Sequence, residues 1–173
     1  NLRQPQKAVD FYLGAIGIDS QFYPAKVNLA MLYNNMGRKD ETEALLREVV
    51  AAHPELYEVH YSLGLLLAEN QKYDEAARHL EIAAQGLPGR GRVHYNLGLL
   101  LQHLKRNTAA EAALLAALEI EPHNLDYLYA AADHYLKRGE LIKAADLARQ
   151  IIQKYPRQTI GHDILNFVNK TLE

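Results

Sequence analysis

The sequence predicts an all-α protein, an α-solenoid of antiparallel helix pairs, and three observations predict it. The octet His60-Tyr61-Ser62-Leu63-Gly64-Leu65-Leu66-Leu67 returns almost letter for letter as His94-Tyr95-Asn96-Leu97-Gly98-Leu99-Leu100-Leu101, an offset of 34 residues. Pro54, Pro88, Pro122 and Pro156 stand at the same interval. Between successive prolines lie two stretches with the apolar spacing of a helix, separated by a short polar turn. A fixed period of roughly 20–50 residues marks a stack of supersecondary units, each burying its apolar face on its neighbours.

Each proline closes a pair, because it cannot continue a helix and restrains the residue before it. One interval before Pro54 stands Ser20, a turn former. In the pair closed by Pro88, the first helix is expected over about 57–69 and the second over about 73–85, joined by Asn70-Gln71-Lys72. Leu63, Gly64 and Leu67 share one face of the first; Ala76, Leu80 and Ala83 face back from the second. The other turns read Met36-Gly37-Arg38, Lys105-Arg106-Asn107 and Arg138-Gly139-Glu140, where Gly37 and Gly139 suit a left-handed helix end. Each crossing offers small residues: Ala30, Gly64, Gly98 and Ala132 on first helices, and Ala76, Ala110 and Ala144 on second. These let backbones approach closely. Glycine inside a helix costs about 1 kcal/mol relative to alanine, so its recurrence at 64 and 98 points to close packing.

The ends differ from the middle. Residues 1–22 read as a second helix alone, with Ala8, Tyr12, Ala15 and Ile16 in phase with Ala76, Leu80, Ala83 and Ala84. The missing first-helix partner leads us to expect the C-terminal part of a longer protein, with more repeats or another domain upstream. Residues 159–173 read as a single capping helix. Thr159 is its expected N-cap, Ile160, Ile164, Leu165 and Val168 cover the last pair, and Asn166 stands where earlier pairs carry a small residue.

Composition agrees. The 173 residues are 49% hydrophobic and 23% charged, a folding composition, with net charge −2 and no long basic run. That argues against a nucleic-acid footprint and against a polybasic membrane contact. No apolar run approaches the roughly 18–20 residues that span a bilayer. The absence of cysteine excludes disulfides, thiolate metal sites and cysteine nucleophiles, and fits a cytoplasmic or a periplasmic compartment equally.

The run His94-x2-Leu97-Gly98-x2-Leu101, then Ala110-x3-Leu114, then Pro122 resembles the tetratricopeptide repeat pattern of aromatic-x2-Leu-Gly-x2-Tyr, Ala-x3-Phe and Pro. Tyr33 and Tyr135 match its first-helix tyrosine. The resemblance covers nearly the whole chain, as one array over 1–173 with complete repeats at 23–56, 57–90, 91–124 and 125–158. His60 and His94 stand where Trp is common, Thr42 replaces the second-helix Ala, and Ala131-Ala132 replaces Leu-Gly. Its repeat wording, such as Asn28-Leu29-Ala30 and Leu45-Leu46-Arg47, is bacterial in style. The resemblance implies a right-handed superhelix whose first helices line a concave groove for extended or helical peptide segments.

No chemistry competes with that implication. There is no His-Glu-x-x-His, no pair of histidines at i, i+4, no phosphate loop after a strand and no Gly-x-Ser-x-Gly. His60 and His94 are one layer apart, roughly 10 Å, too far to share a metal, and read as half-buried aromatic substitutes. The expectation is no enzyme, no cofactor and no metal.

By the same resemblance, groove positions are the second, fifth, sixth, ninth, twelfth and thirteenth of each repeat. The fifth positions read Val27, Tyr61, Tyr95 and Tyr129; the ninth read Met31, Leu65, Leu99 and Asp133. The candidate partner-binding set is Asn28, Met31, Tyr61, Leu65, Tyr95, Asn96, Leu99, His103, Tyr129 and Asp133. The three tyrosines suit either a ligand ladder or packing between repeats. The ladder is favoured because the seventh, eighth and eleventh positions already supply a core. On that reading Tyr95→Ala weakens a partner by roughly 1–3 kcal/mol with little effect on folding. Of the sites where a family subclass grips a C-terminal carboxylate (Val27, Met31, Asn96, Asp126, Ala130), only Asn96 fits. A mixed apolar and polar segment is expected, with a basic residue near Asp126 and Asp133.

The functional expectation is a protein–protein interaction scaffold with a protein or peptide partner, no nucleic acid and no membrane insertion. Two alternatives are a self-association module, through the open half-repeat at the N-terminus, and the accessory repeat region of an enzyme whose catalytic domain lies upstream.

Overall fold

The computed structural model describes residues 3–173, with side chains from residue 5 onward. Asn1 and Leu2, part of the expected leading helix, lie outside the described residues. Ten helices occupy the described chain: α1 Arg3–Ile18, α2 Tyr23–Asn35, α3 Lys39–Ala52, α4 Tyr57–Glu69, α5 Tyr73–Gly86, α6 Gly91–His103, α7 Asn107–Ile120, α8 Leu125–Lys137, α9 Leu141–Lys154 and α10 Ile160–Leu172. None is long and apolar enough to cross a membrane. Contacts divide the chain into two compact units, Asn1–Leu87 and Pro88–Glu173. In the first, α2 packs on α3 and α4 on α5; in the second, α6 packs on α7 and α8 on α9.

The pairing follows from small residues at the crossings. A Cβ added to Gly64 would stand 2.8 Å from Leu80 Cγ, and one added to Gly98 would stand 2.7 Å from Leu114 Cγ. Both are inside any real carbon–carbon contact, so these glycines set how closely α4 meets α5 and α6 meets α7. The seventh, eighth and eleventh positions are buried in all four repeats, from Leu29, Ala30 and Tyr33 to Ala131, Ala132 and Tyr135. The alanines of the last repeat therefore do the work of Leu-Gly elsewhere. Thr42, in the alanine position, is buried with its hydroxyl donating to the Arg38 carbonyl at 2.8 Å. That bond satisfies the polar group the substitution brings inside.

Each turn between a first and a second helix passes through the left-handed region at one residue. Gly37 (φ 75°) and Gly139 (φ 73°) take it without strain, whereas Gln71 (φ 62°) and Lys105 (φ 58°) take it with a Cβ.

At the ends, Ala8, Tyr12, Ala15 and Ile16 of α1 are only half-buried, while Ala76, Leu80, Ala83 and Ala84 of α5 are buried. At α10, Thr159 holds the N-cap position but makes no capping hydrogen bond with its side chain. The close approach there falls on Gly161, whose added Cβ would lie 2.9 Å from the Ala148 carbonyl, and Asn166 is exposed. The last helix thus docks back on α9 through its second residue.

Candidate functional site

The first helices of both units carry the candidate residues. In the first unit, α2 and α4 flank a hollow of about 490 Å³. Met31 and Leu65 line it, 61% and 38% exposed, with Val27, Asn34, Asn35, Ser62 and Glu69 around them. Apolar side chains are exposed here because the seventh, eighth and eleventh positions turn to the helix partner and leave the ninth outward. Asn28 is exposed and lines a neighbouring hollow of about 490 Å³ with Tyr23, Pro24 and Tyr57. Tyr61 is half-buried and lies outside both linings.

In the second unit, α6 and α8 flank a hollow of about 550 Å³ that brings together Leu99, His103 and Asp133. Gln102, Lys105, Asn107, His134, Lys137 and Arg138 complete its wall. Asp133 is not free for a partner's basic group. It accepts from Gln102 Nε2 at 2.9 Å and pairs with Lys137 at 2.7 Å. Asp126 likewise faces Arg92 at 3.8 Å. The acidic character expected of this groove is met by its own counter-charges, Lys137 one helical turn after Asp133 and Arg92 from α6.

The tyrosines do not form one equivalent series. Tyr95 stacks on Tyr127 with ring centroids 5.0 Å apart and planes 29° apart, and Tyr127 is 1% exposed. Tyr95 packs against the core of the second unit, so its truncation removes folding contacts, contrary to the expectation of little effect. Arg92 lies over its ring at 5.3 Å. Burial first, then Asp126, raises the Tyr95 phenol above its ordinary value, and Arg92 opposes. Tyr129 is 44% exposed, and Asn96 is half-buried.

In three of the four repeats the family's tryptophan position holds a polar residue with partners of its own, and Leu128 fills it in the last. Lys26 is buried and pairs with Glu48. His60 is buried with its Nδ1 at 2.9 Å from Nδ1 of His79. His94 is half-buried, its Nε2 3.2 Å from the Pro88 carbonyl oxygen. Glu43 of α3 is buried and gathers Lys72 at 2.7 Å, Arg47 at 2.8 Å and Asn70 at 3.2 Å, and Arg47 also reaches Glu75. Burial pushes the Glu43 carboxyl up, but hydrogen bonds from Lys72, Arg47 and Asn70 outweigh it and hold it below the usual range. The contacts of Glu43 and Arg47 lie within the first unit and tie α3 to α5 and to the turn before it. Among the described residues, no group of three or more His, Cys, Asp or Glu could hold a metal ion.

One wall residue, His134, lies outside the candidate set although the sequence signals it. The tenth positions read Leu32, Leu66, Leu100 and then His134. A histidine where three repeats place leucine is a signal that repeat alignment alone exposes.

Models of the tetratricopeptide repeat match residues 27–90, 66–124 and 95–159. No curated protein matches the chain. Among solved structures, YrrB, described as a TPR protein with an unusual peptide-binding site, superposes with a TM-score of 0.82 at 20% identity, over 94% of this chain and 84% of that one. MamA from Desulfovibrio magneticus RS-1 gives 0.80 at 18% identity, over 91% and 90%. A tetratricopeptide repeat protein from Parabacteroides merdae gives 0.81 at 16% identity, over 97% and 67%. At these identities the likeness is one of fold.

Proposed function

Because this chain belongs to the tetratricopeptide repeat family, whose members are generally non-catalytic protein–protein interaction scaffolds, we propose that it binds an extended peptide segment of a partner protein in the grooves flanked by its first helices, and catalyses nothing. One observation carries this reading. The first-unit hollow of about 490 Å³ exposes Met31 and Leu65 beside Asn34, Asn35 and Ser62. An apolar floor rewards burial of a partner side chain, and neighbouring amides and a hydroxyl can hydrogen-bond the backbone that carries it. The peptide-binding site named for YrrB supports the reading by analogy of fold. Selection from a displayed peptide library tests it. Peptides enriched on the wild-type chain should bind a Met31→Ser/Leu65→Ser variant at least about tenfold more weakly, a loss of roughly 1.4 kcal/mol. Both residues are exposed, so folding should be kept. Failure to enrich any peptide, or equal binding to both proteins, overturns the reading.

A second reading, self-association, is favoured by α1, where Phe11 is 72% and Ile18 92% exposed. Large apolar residues clustered on one surface mark interfaces. Sedimentation tests it: a Phe11→Ser/Ile18→Ser variant should dissociate any oligomer formed by the wild type, and a wild-type monomer at every concentration removes the reading.

A further inference from the structure

The two grooves differ in a way that the repeat does not dictate. At the ninth and tenth positions the first helices read Met31-Leu32, Leu65-Leu66, Leu99-Leu100 and then Asp133-His134. The last repeat thus gives up its leucine for a histidine that is 2% exposed and whose Nε2 is buried without a hydrogen-bond partner. Beside it, Gln102 spends its amide N–H on Asp133 and leaves Oε1 buried without a partner. Unsatisfied buried polar atoms are costly and call for a reason. His134 lines the second-unit hollow and so does Gln102. His134 Nε2, in the tautomer that carries its proton, can donate to an oxygen of an occupant, whereas Gln102 Oε1 is itself an acceptor and offers a carboxylate nothing, so the choice of occupant falls to the charges around the hollow.

Charge narrows the occupant. Lys105, Lys137 and Arg138 line the hollow with three positive charges, against one negative from Asp133. Asp133 is held by Lys137 and Gln102, and Arg138 by Glu140 at 2.5 Å. Lys105 has no ion-pair partner among the described residues. It sits at the left-handed turn position that glycine takes in two of the other turns and Gln71 in the third, with its side chain exposed. Asn107, the first residue of α7, also lines the hollow. The unbonded amides of that first turn add positive potential. The first-unit hollow is the opposite case: Glu58 and Glu69 line it, and neither lysine nor arginine does.

We propose that the hollow between α6 and α8 is an acidic-residue subsite, which takes the carboxylate side chain of an Asp or Glu in a partner's peptide segment between Lys105 and the Lys137–Arg138 edge. The inference rests on the peptide-binding reading above and adds the chemistry of one contact. It also reverses the basic ligand expected from Asp126 and Asp133 in the sequence.

The test uses the full chain, isotope-labelled for NMR, and two capped tripeptides, N-acetyl-Leu-Glu-Leu amide and N-acetyl-Leu-Gln-Leu amide. The glutamate peptide should shift the amides of Leu99, Gln102, Lys105 and Lys137 and bind about fivefold or more tightly than the glutamine peptide at low salt. That preference should vanish in about 0.5 M NaCl and in a Lys105→Glu variant, whose altered side chain is exposed. Equal affinities, or a glutamate preference unaffected by Lys105→Glu, overturn the subsite and leave peptide binding standing. Shifts confined to α2 and α4 do the same. Absence of any shift in either groove overturns both.

Discussion

His60 and His79 meet across the α4–α5 pair with their Nδ1 atoms 2.9 Å apart. A neutral pair satisfies this geometry, one ring donating and the other accepting. Two protonated rings would set N–H against N–H. Burial lowers the affinity of both rings for a proton, and at His79 the His60 ring adds to it. His134 is lowered too, by burial and then by Arg138. The folded state therefore binds protons less readily than the unfolded chain, whose histidines titrate near 6.5. Stability is full above that value and falls as pH drops below it. The carboxylates Glu43 and Glu75 are lowered below 4.5, so their contribution is lost only in stronger acid. Urea midpoints measured at about pH 7.5 and about pH 5.5 should fall with acid, and a His60→Leu/His79→Leu variant should show a smaller fall. An equal fall in the variant would place the acid sensitivity elsewhere.

The four turns between paired helices carry one left-handed residue each, and only two are glycine. A side chain in that region costs roughly 1–2 kcal/mol, against which glycine's extra freedom in the unfolded chain sets about 0.5–1 kcal/mol. Gln71→Gly should therefore stabilise the first unit by up to about 1 kcal/mol, and Gly139→Ala should destabilise the second by about 1 kcal/mol. Thermal melts of the two variants, shifted in opposite directions, would bear this out. A Gln71→Gly protein no more stable than the wild type would mean that Gln71 makes compensating contacts in the turn.

Much of the fold was legible because its signals are local and repeated. Leu63, Gly64 and Leu67 announce a buried face, and the clash a Cβ at Gly64 would meet on Leu80 explains why that position stays small. The candidate site was legible only in part. Met31 with Leu65, and Leu99 with Asp133, do come together, because ninth positions of neighbouring first helices face one hollow. In the sequence Lys105 is a turn residue, and its place on a groove wall depends on how the end of α6 stands beside α8. The His60–His79 contact joins two residues whose spacing, 19 positions, carries no periodic meaning. Contacts made by the crossing of helices are written in no single stretch.

Tyr95 and Tyr129 are the residues at which the two uses of the groove tyrosines separate. Both occupy the fifth position of a first helix, one repeat apart. Tyr95 lies against the buried Tyr127 ring with Arg92 above it, whereas Tyr129 presents 44% of its surface to solvent. Removing an aromatic ring from a stacked pair forfeits the pair term and much of the burial, so Tyr95→Ala should cost roughly 1–3 kcal/mol of stability. Tyr129→Ala should cost less than about 0.5 kcal/mol, the usual range for a surface substitution. Against a peptide selected on the wild-type chain, Tyr129→Ala should weaken binding by roughly 1–2 kcal/mol if the exposed ring is an anchor. Urea unfolding and fluorescence anisotropy on the same two variants keep the quantities apart. A Tyr95→Ala protein as stable as the wild type would show that the stack contributes nothing to folding. Unchanged binding by Tyr129→Ala would remove its ring from the contact surface, leaving the ninth-position residues Met31, Leu65 and Leu99 to carry the apolar contacts.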